Sequence, residues 1–182
     1  MEERYARIFG QLNPETQSHS RRVAHLCKFL APVVGVDEDL AYRLGYVHDF
    51  GKLYVPSRIL KKSEKLTAIE REVVDLHSYF GYKLLKEEMK DSAEIYIPVL
   101  FHHGFLKPRM CLESSTNITN EMMKSISVLH SADVYDAMTN KRVYHNPFSV
   151  EETLTSLEGD ALCNREIIDA LSEYVVYRKV SG

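Results

Sequence analysis

No stretch of this 182-residue chain approaches the roughly 20 apolar residues that a membrane span requires. Met1–Gly10 is charged and mixed, so it does not read as a secretory signal. Cysteine is sparse. The three present (Cys27, Cys111 and Cys163) lie far apart, are odd in number and form neither a disulfide framework nor a zinc pattern, which points to a reducing cytoplasm. An excess of one charge sign is also missing. With 23 Lys and Arg against 26 Asp and Glu, the net charge of -3 gives no strong field for duplex nucleic acid or an anionic membrane. Its charges read as a solvated surface. No internal repeat, low-complexity segment or serine nucleophile elbow occurs. Gly51-Lys52 lacks the upstream glycine spacing of a phosphate loop. Few segments alternate in polarity, so a sheet is not expected.

What is present is apolar spacing of three and four, which predicts an all-α chain. Asn13-Pro14 is a helix start, and this helix is expected to run to about Val34 and stop at Gly35. A second is expected from Asp37 to Phe50, ending at Gly51, followed by a short connection over Pro56–Leu60. Thr67 and Glu70 form a capping box that opens a long helix to about Lys90. Further helices are expected over Ser92–His103, Ile118–Thr139, from Ser149 with Glu152, and from Asn164 to about Tyr177. The Gly104–Asn117 stretch has no period and reads as a loop. The apolar run 171–180 also fits a strand, though its context favours helix. One domain is expected over 1–182, with 1–12 as a leader and 13–178 as the helical core. The leader is the only chain before Asn13, so a sensor domain is not expected.

Histidine is the informative residue, with eight in the chain. His48-Asp49 offers an imidazole and a carboxylate, both good ligands for divalent first-row metals. Adjacent residues on a helix diverge by about 100°, but at a helix end beside Gly51 the backbone can turn and bring them together. Glu15 and His19 share a helix face by their i, i+4 spacing. His77 is followed by Gly81, where a missing side chain lets another helix or a ligand come close. His102-His103 ends a helix. Asp133 lies in an otherwise apolar stretch, where a buried carboxylate needs a partner or a metal, and Asp136 is placed one turn on to support it. His25, His130 and His145 stand outside this order and read as structural, with a supporting role for His130 as the exception. Cys27 reads as inert core.

The order His19-Ser20, His48-Asp49-Phe50-Gly51-Lys52, Glu70 to His77 with Gly81, His102-His103, Ala132–Thr139 and Arg142-Val143-Tyr144 resembles the HD superfamily, and more narrowly its HD-GYP branch. The resemblance covers about residues 13–175. It implies a helical bundle that hydrolyses cyclic di-GMP or a related cyclic nucleotide with two or three divalent metal ions. Iron or manganese is favoured, and zinc, cobalt or nickel also suits such ligands. It makes His19, His48, Asp49, His77, His102, His103 and Asp133 metal ligands, with Asp49 bridging and Glu15 matching a position that holds a third metal in some members. It makes Lys52 and Arg142 phosphate contacts, and His145 falls where many members carry Lys or Arg. The chain departs from the pattern after the paired histidines. Gly104-Phe105-Leu106-Lys107-Pro108-Arg109-Met110 stands where the family has Glu-Arg, Asp-Gly and Gly-Tyr-Pro. A nucleotide phosphomonoesterase and a metal-loaded signalling module that binds a nucleotide or partner are therefore carried as alternatives. A homodimer or a separate signalling partner fits a chain expected to lack its own sensor.

Overall fold

The computed structural model describes residues 3–105, 117–140 and 147–181, with side chains through Tyr174. Its elements are α1 (Glu3–Phe9), α2 (Pro14–Val34), α3 (Glu38–Val47), a 3₁₀ turn (Phe50–Tyr54), α4 (Ser57–Leu60), α5 (Ala68–Asp75), α6 (His77–Lys83), a π turn (Leu84–Glu88), α7 (Ala93–Phe101), α8 (Asn120–Thr139), α9 (Val150–Glu158) and α10 (Arg165–Ser181). No strand occurs among the described residues, and none of their helices is long and apolar enough to cross a membrane. Lys107, Arg109, Cys111, Arg142, Tyr144 and His145 lie outside the described residues.

Local chemistry sets the helix ends. The Asn13 side chain accepts from the Thr16 N–H at 2.9 Å and Pro14 opens α2, while Gly35 at φ 72° supplies the left-handed cap. Asp37 caps α3 in the same way through the Leu40 N–H. Capping boxes start α5 and α9, and Asn164 accepts from the Ile167 N–H to start α10.

α2 is the central element and packs against α3, α8 and α10, while α7 lies against α6 and α8. The main core collects Val23, Cys27, Leu30, Leu44, Val47, Phe50, Leu129, Leu157 and Ile167, all at most 1% exposed. Each buried aliphatic side chain of this kind contributes about 1.5–3 kcal/mol. Gly45 lets α3 meet α2 at backbone distance, since an added Cβ there would lie 2.5 Å from Ala24 Cα. A second cluster of Tyr82, Ile97, Leu100, Phe101, Met122 and Ile126 fills the space between α6, α7 and α8.

Four expectations are corrected. The first twelve residues contain α1, whose Tyr5 and Phe9 are core residues, and Phe9 stacks on Tyr46 with ring centroids 4.1 Å apart. The second helix stops at Val47, and the chain then tightens into the 3₁₀ turn. The expected helix from Thr67 to Lys90 is three pieces. Around its first break His77 Nδ1 and Ser78 Oγ donate to the Val74 and Asp75 carbonyls at 2.7 and 3.2 Å. α10 continues to Ser181, and the apolar run 171–180 is helix as its context favours, with Leu171 in the core beside Ile167 of the same element.

Candidate metal centre

A turn at the end of α3 places two of the candidate ligands. α3 ends so that His48 and Asp49 fall in the turn before Phe50, and both are buried. Their ligand atoms then point to one place, with His48 Nε2 3.5 Å from Asp49 Oδ2. This turn can press on α6 only because Gly51 has no side chain, since an added Cβ would overlap the His77 carbonyl oxygen and the Gly81 nitrogen. Gly81 completes the fit from the other side, with the position of its absent Cβ 3.5 Å from the Gly51 nitrogen.

Two groups of ligand atoms result. His77, His102 and His103 form one, and His19, His48 and Asp133 form the other. Asp49 stands between them. Its Oδ1 is 3.4 Å from His77 Nε2, and its Oδ2 is 3.5 and 3.7 Å from the Nε2 atoms of His48 and His19. Asp133 Oδ1 lies 2.9 Å from His19 Nε2, and its Oδ2 3.8 Å from His103 Nε2. All seven residues predicted as His and Asp ligands thus converge on one buried place.

Hydrogen bonds fix which nitrogen each ring offers. His48, His77 and His102 donate from Nδ1 to the carbonyls of Gly45, Val74 and Val99 at 2.8, 2.7 and 2.6 Å. A carbonyl can only accept, so in the neutral ring each Nε2 carries a lone pair. Burial lowers the pKa of all three, to about 3 for His77, which keeps them neutral. The consequence is two acceptors facing each other, His77 Nε2 and His102 Nε2 at 3.3 Å, with His103 Nε2 3.2 Å from His77 Nε2. The buried His48 Nε2 has no hydrogen-bond partner among the described residues. Burial raises the carboxyl of Asp49, but the Lys52 ammonium 2.7 Å away leads the opposing charges that hold the group well below its ordinary value. Burial opposes Asp133 likewise, and the hydrogen bond with His19 holds it low. Lone pairs and carboxylates crowded together in a dry place fit a divalent cation, which supplies the missing positive charge.

His19 is held differently. Its Nδ1 donates to Asp136 Oδ2 at 2.7 Å, and the Arg22 guanidinium grips both oxygens of Asp136 at 2.7 and 2.9 Å. Asn140 Nδ2 adds a 2.9 Å bond to Asp136 Oδ1. Burial lowers the pKa of His19, but its bonds to Asp133 and Asp136 prevail and raise it. A carboxylate behind a ligating imidazole fixes its tautomer and strengthens it as a donor. Arg22 and Asn140 were not foreseen. Their signal was the i+3 step from His19 and the i+4 step from Asp136.

His130 supports the paired histidines. Its Nδ1 donates to the His102 carbonyl at 2.6 Å and its Nε2 pairs with Asp160 Oδ2 at 2.9 Å. Burial opposes the charged form, yet the hydrogen bond with Cys163 and those to His102 and Asp160 raise its pKa to about 9. Lys52 Nζ lies 2.7 Å from Asp49 Oδ2 and also lines a cavity of about 300 Å³ beside the centre. Glu15 lines the same cavity and is exposed, outside both ligand groups. His103 is the exposed member of the candidate ligands, with a side chain 40% exposed.

A sequence profile of the family described as HD domain matches residues 16–140. The cyclic di-GMP phosphodiesterase of Thermotoga maritima is 29% identical over 166 residues, which cover 86% of this chain and 44% of that protein. The 3'3'-cGAMP-specific phosphodiesterase 1 of Vibrio cholerae serotype O1 is 28% identical over 156 residues, covering 82% of this chain and 35% of that protein. This chain therefore spans less than half the length of either relative. Among solved structures, the HD domain of the L. monocytogenes phosphodiesterase PgpH superposes with a TM-score of 0.68 at 18% identity, covering 98% of this chain and 100% of that one. The likeness to PgpH is one of fold.

Proposed function

The chain belongs to the HD domain family, and from that premise we propose that it is a metal-dependent phosphodiesterase acting on a cyclic dinucleotide, cyclic di-GMP or a close analogue. The observation that carries this reading is the position of Asp49. One carboxylate oxygen faces His77 and the other faces His19 and His48. A carboxylate so placed is suited to bridging two cations, with His77, His102 and His103 holding one and His19, His48 and Asp133 the other. Histidine and carboxylate ligands suit iron or manganese. Two relatives named as cyclic dinucleotide phosphodiesterases support the substrate class.

Divalent cations held there would supply Lewis acidity toward a phosphate oxygen and a nucleophile at neutral pH. The chain's own residues do the rest. The neutral Nε2 atoms and the two low-pKa carboxylates are already in the protonation state that ligation requires. The Lys52 ammonium, between Asp49 and the cavity, offsets negative charge that builds on the phosphoryl oxygens. Arg142 and His145 join it as substrate contacts in this proposal. Asp136, Arg22 and Asn140 keep His19 aimed, and Asp160 with His130 braces the turn that carries His102 and His103. The sparse, unpaired cysteine pattern favours the cytoplasm as the place of reaction.

The test is turnover of cyclic di-GMP, a simple phosphodiester and a nucleotide monophosphate by protein reconstituted with manganese or anaerobic iron. Cleavage of the diesters ahead of the monoester supports the proposal. Monoester cleavage alone makes the chain a phosphomonoesterase, and metal uptake without turnover of any of them makes it a binding module.

A further inference from the structure

The cavity beside the metal centre carries charge that the chemistry at the centre does not use. Lys52 closes its inner end against Asp49. Val74, whose carbonyl holds His77, forms part of its wall. Farther out it is lined by Lys65, in the loop before α5, and by Arg71, in the first turn of that helix. The lining is cationic in a chain whose net charge is -3, with Glu15 its only acidic member.

The neighbouring charges are already committed. Lys62, three residues before Lys65, is neutralised by Glu70 at 2.6 and 2.8 Å. Glu70 in turn caps α5 through the Thr67 N–H at 2.8 Å, which fixes the first turn of the helix and so the place of Arg71. No described carboxylate pairs with either Lys65 or Arg71. A lysine and an arginine turned to one concave space beside a phosphate-processing centre form a receptor for an anion, and a guanidinium matches a phosphate with two donors at once.

Building on the phosphodiesterase reading, we infer that Lys65 and Arg71 form a second phosphate subsite. They hold the phosphate that is not being cleaved and so select dinucleotides over single-phosphate esters. A cyclic dinucleotide has two phosphodiesters. With one at the metal centre, the other needs a cationic partner of its own, and Lys65 and Arg71 line the same cavity as Lys52. A mononucleotide or a simple diester places no charge there.

The test compares Lys65→Ala, Arg71→Ala, the double variant and Arg71→Lys with the unaltered protein, all loaded with manganese. Both residues are exposed, so the fold is expected to survive their truncation. Calorimetry reads cyclic di-GMP affinity directly, whether or not the compound is turned over. The double variant should bind about tenfold more weakly, with manganese content unchanged and Arg71→Lys recovering part of the loss. The loss should also be severalfold larger for the dinucleotide than for bis(p-nitrophenyl) phosphate, read as the inhibition constant or KM. Equal dinucleotide affinity in the double variant overturns the subsite, as does an equal loss for both compounds. Failure of the phosphodiesterase reading shows separately, as no turnover of either diester by the unaltered protein.

Discussion

His77 and His102 face each other through their Nε2 atoms at 3.3 Å, while both Nδ1 atoms are occupied by the carbonyls of Val74 and Val99. Two buried lone pairs at that distance repel unless a cation lies against them, so the fold carries a local cost that ligation removes. Stripping the metal with a chelator should therefore destabilise the protein. At a free metal concentration of about 100 times Kd, binding contributes about 2.7 kcal/mol, which corresponds to a Tm higher by about 5–10 °C for a chain of this size. A thermal melt with and without manganese checks it. Coincident melts at saturating manganese would contradict the assignment.

Asp136 is in neither ligand group, and its effect passes through the His19 ring, 2.7 Å away. Asp136→Asn should weaken metal binding about 10–100-fold while leaving the helical content unchanged. Arg22→Ala, which removes the fork behind Asp136, should have a smaller effect in the same direction. Metal titrations of both variants check the order.

Lys52 is close to Asp49 and open to the cavity. Lys52→Ala should retain the metals and lose about a hundredfold in kcat. Stoichiometry and single-turnover rates measured on one preparation separate the two effects. An unchanged rate would reduce Lys52 to a counter-charge for Asp49.

Gly51 and Gly81 set the distance between the turn and α6. Gly51→Ala forces a Cβ into the His77 carbonyl, and the strain should cost about 1–3 kcal/mol and move His77 away from Asp49. Urea denaturation gives the stability change, and metal content reports the displacement.

Acid should destabilise the metal-free protein. Burial depresses the pKa of His48, His77 and His102, so the unfolded chain binds more protons than the native one between the folded value, about 3 for His77, and the ordinary 6.5. Stability rises with pH across that window and is lost as pH falls through it. His19, with a raised pKa, works the other way, and its contribution is lost as pH rises above 6.5 through its folded value. Burial lowers His103 as well, and His130 is raised like His19, so four depressed histidines against two raised ones give a net loss on acidification from pH 6.5 to about 5. Denaturation midpoints in chelator at the two pH values read it.

Much of this was legible in the sequence because it is written locally. Asn13-Pro14, Thr67 with Glu70, and Ser149 with Glu152 each announce a helix start within four residues, and each one caps as read. The seven proposed His and Asp ligands were legible through the order of their motifs, and the structure brings them together. The breaks at Asp75 and after Lys83 were not, because apolar spacing continues through them, and beside the first lies a backbone contact from Gly51, 26 residues before His77. The place of Tyr5 and Phe9 in the core depends likewise on Tyr46 and the elements around it. Asp160 gave no local sign that it would pair with His130. Glu15 shows the limit of helix-face reasoning. It shares a face with His19, yet it ends in the cavity and outside both ligand groups.

The central claim is that Asp49 joins two cations in one centre. Elemental analysis of manganese-reconstituted protein, with electron paramagnetic resonance on the same sample, tests it most directly. The account predicts two equivalents of manganese per chain with exchange-coupled spectra, and loss of the coupling in Asp49→Asn. A single equivalent, or two equivalents whose spectra are those of isolated ions in the unaltered protein, would contradict it.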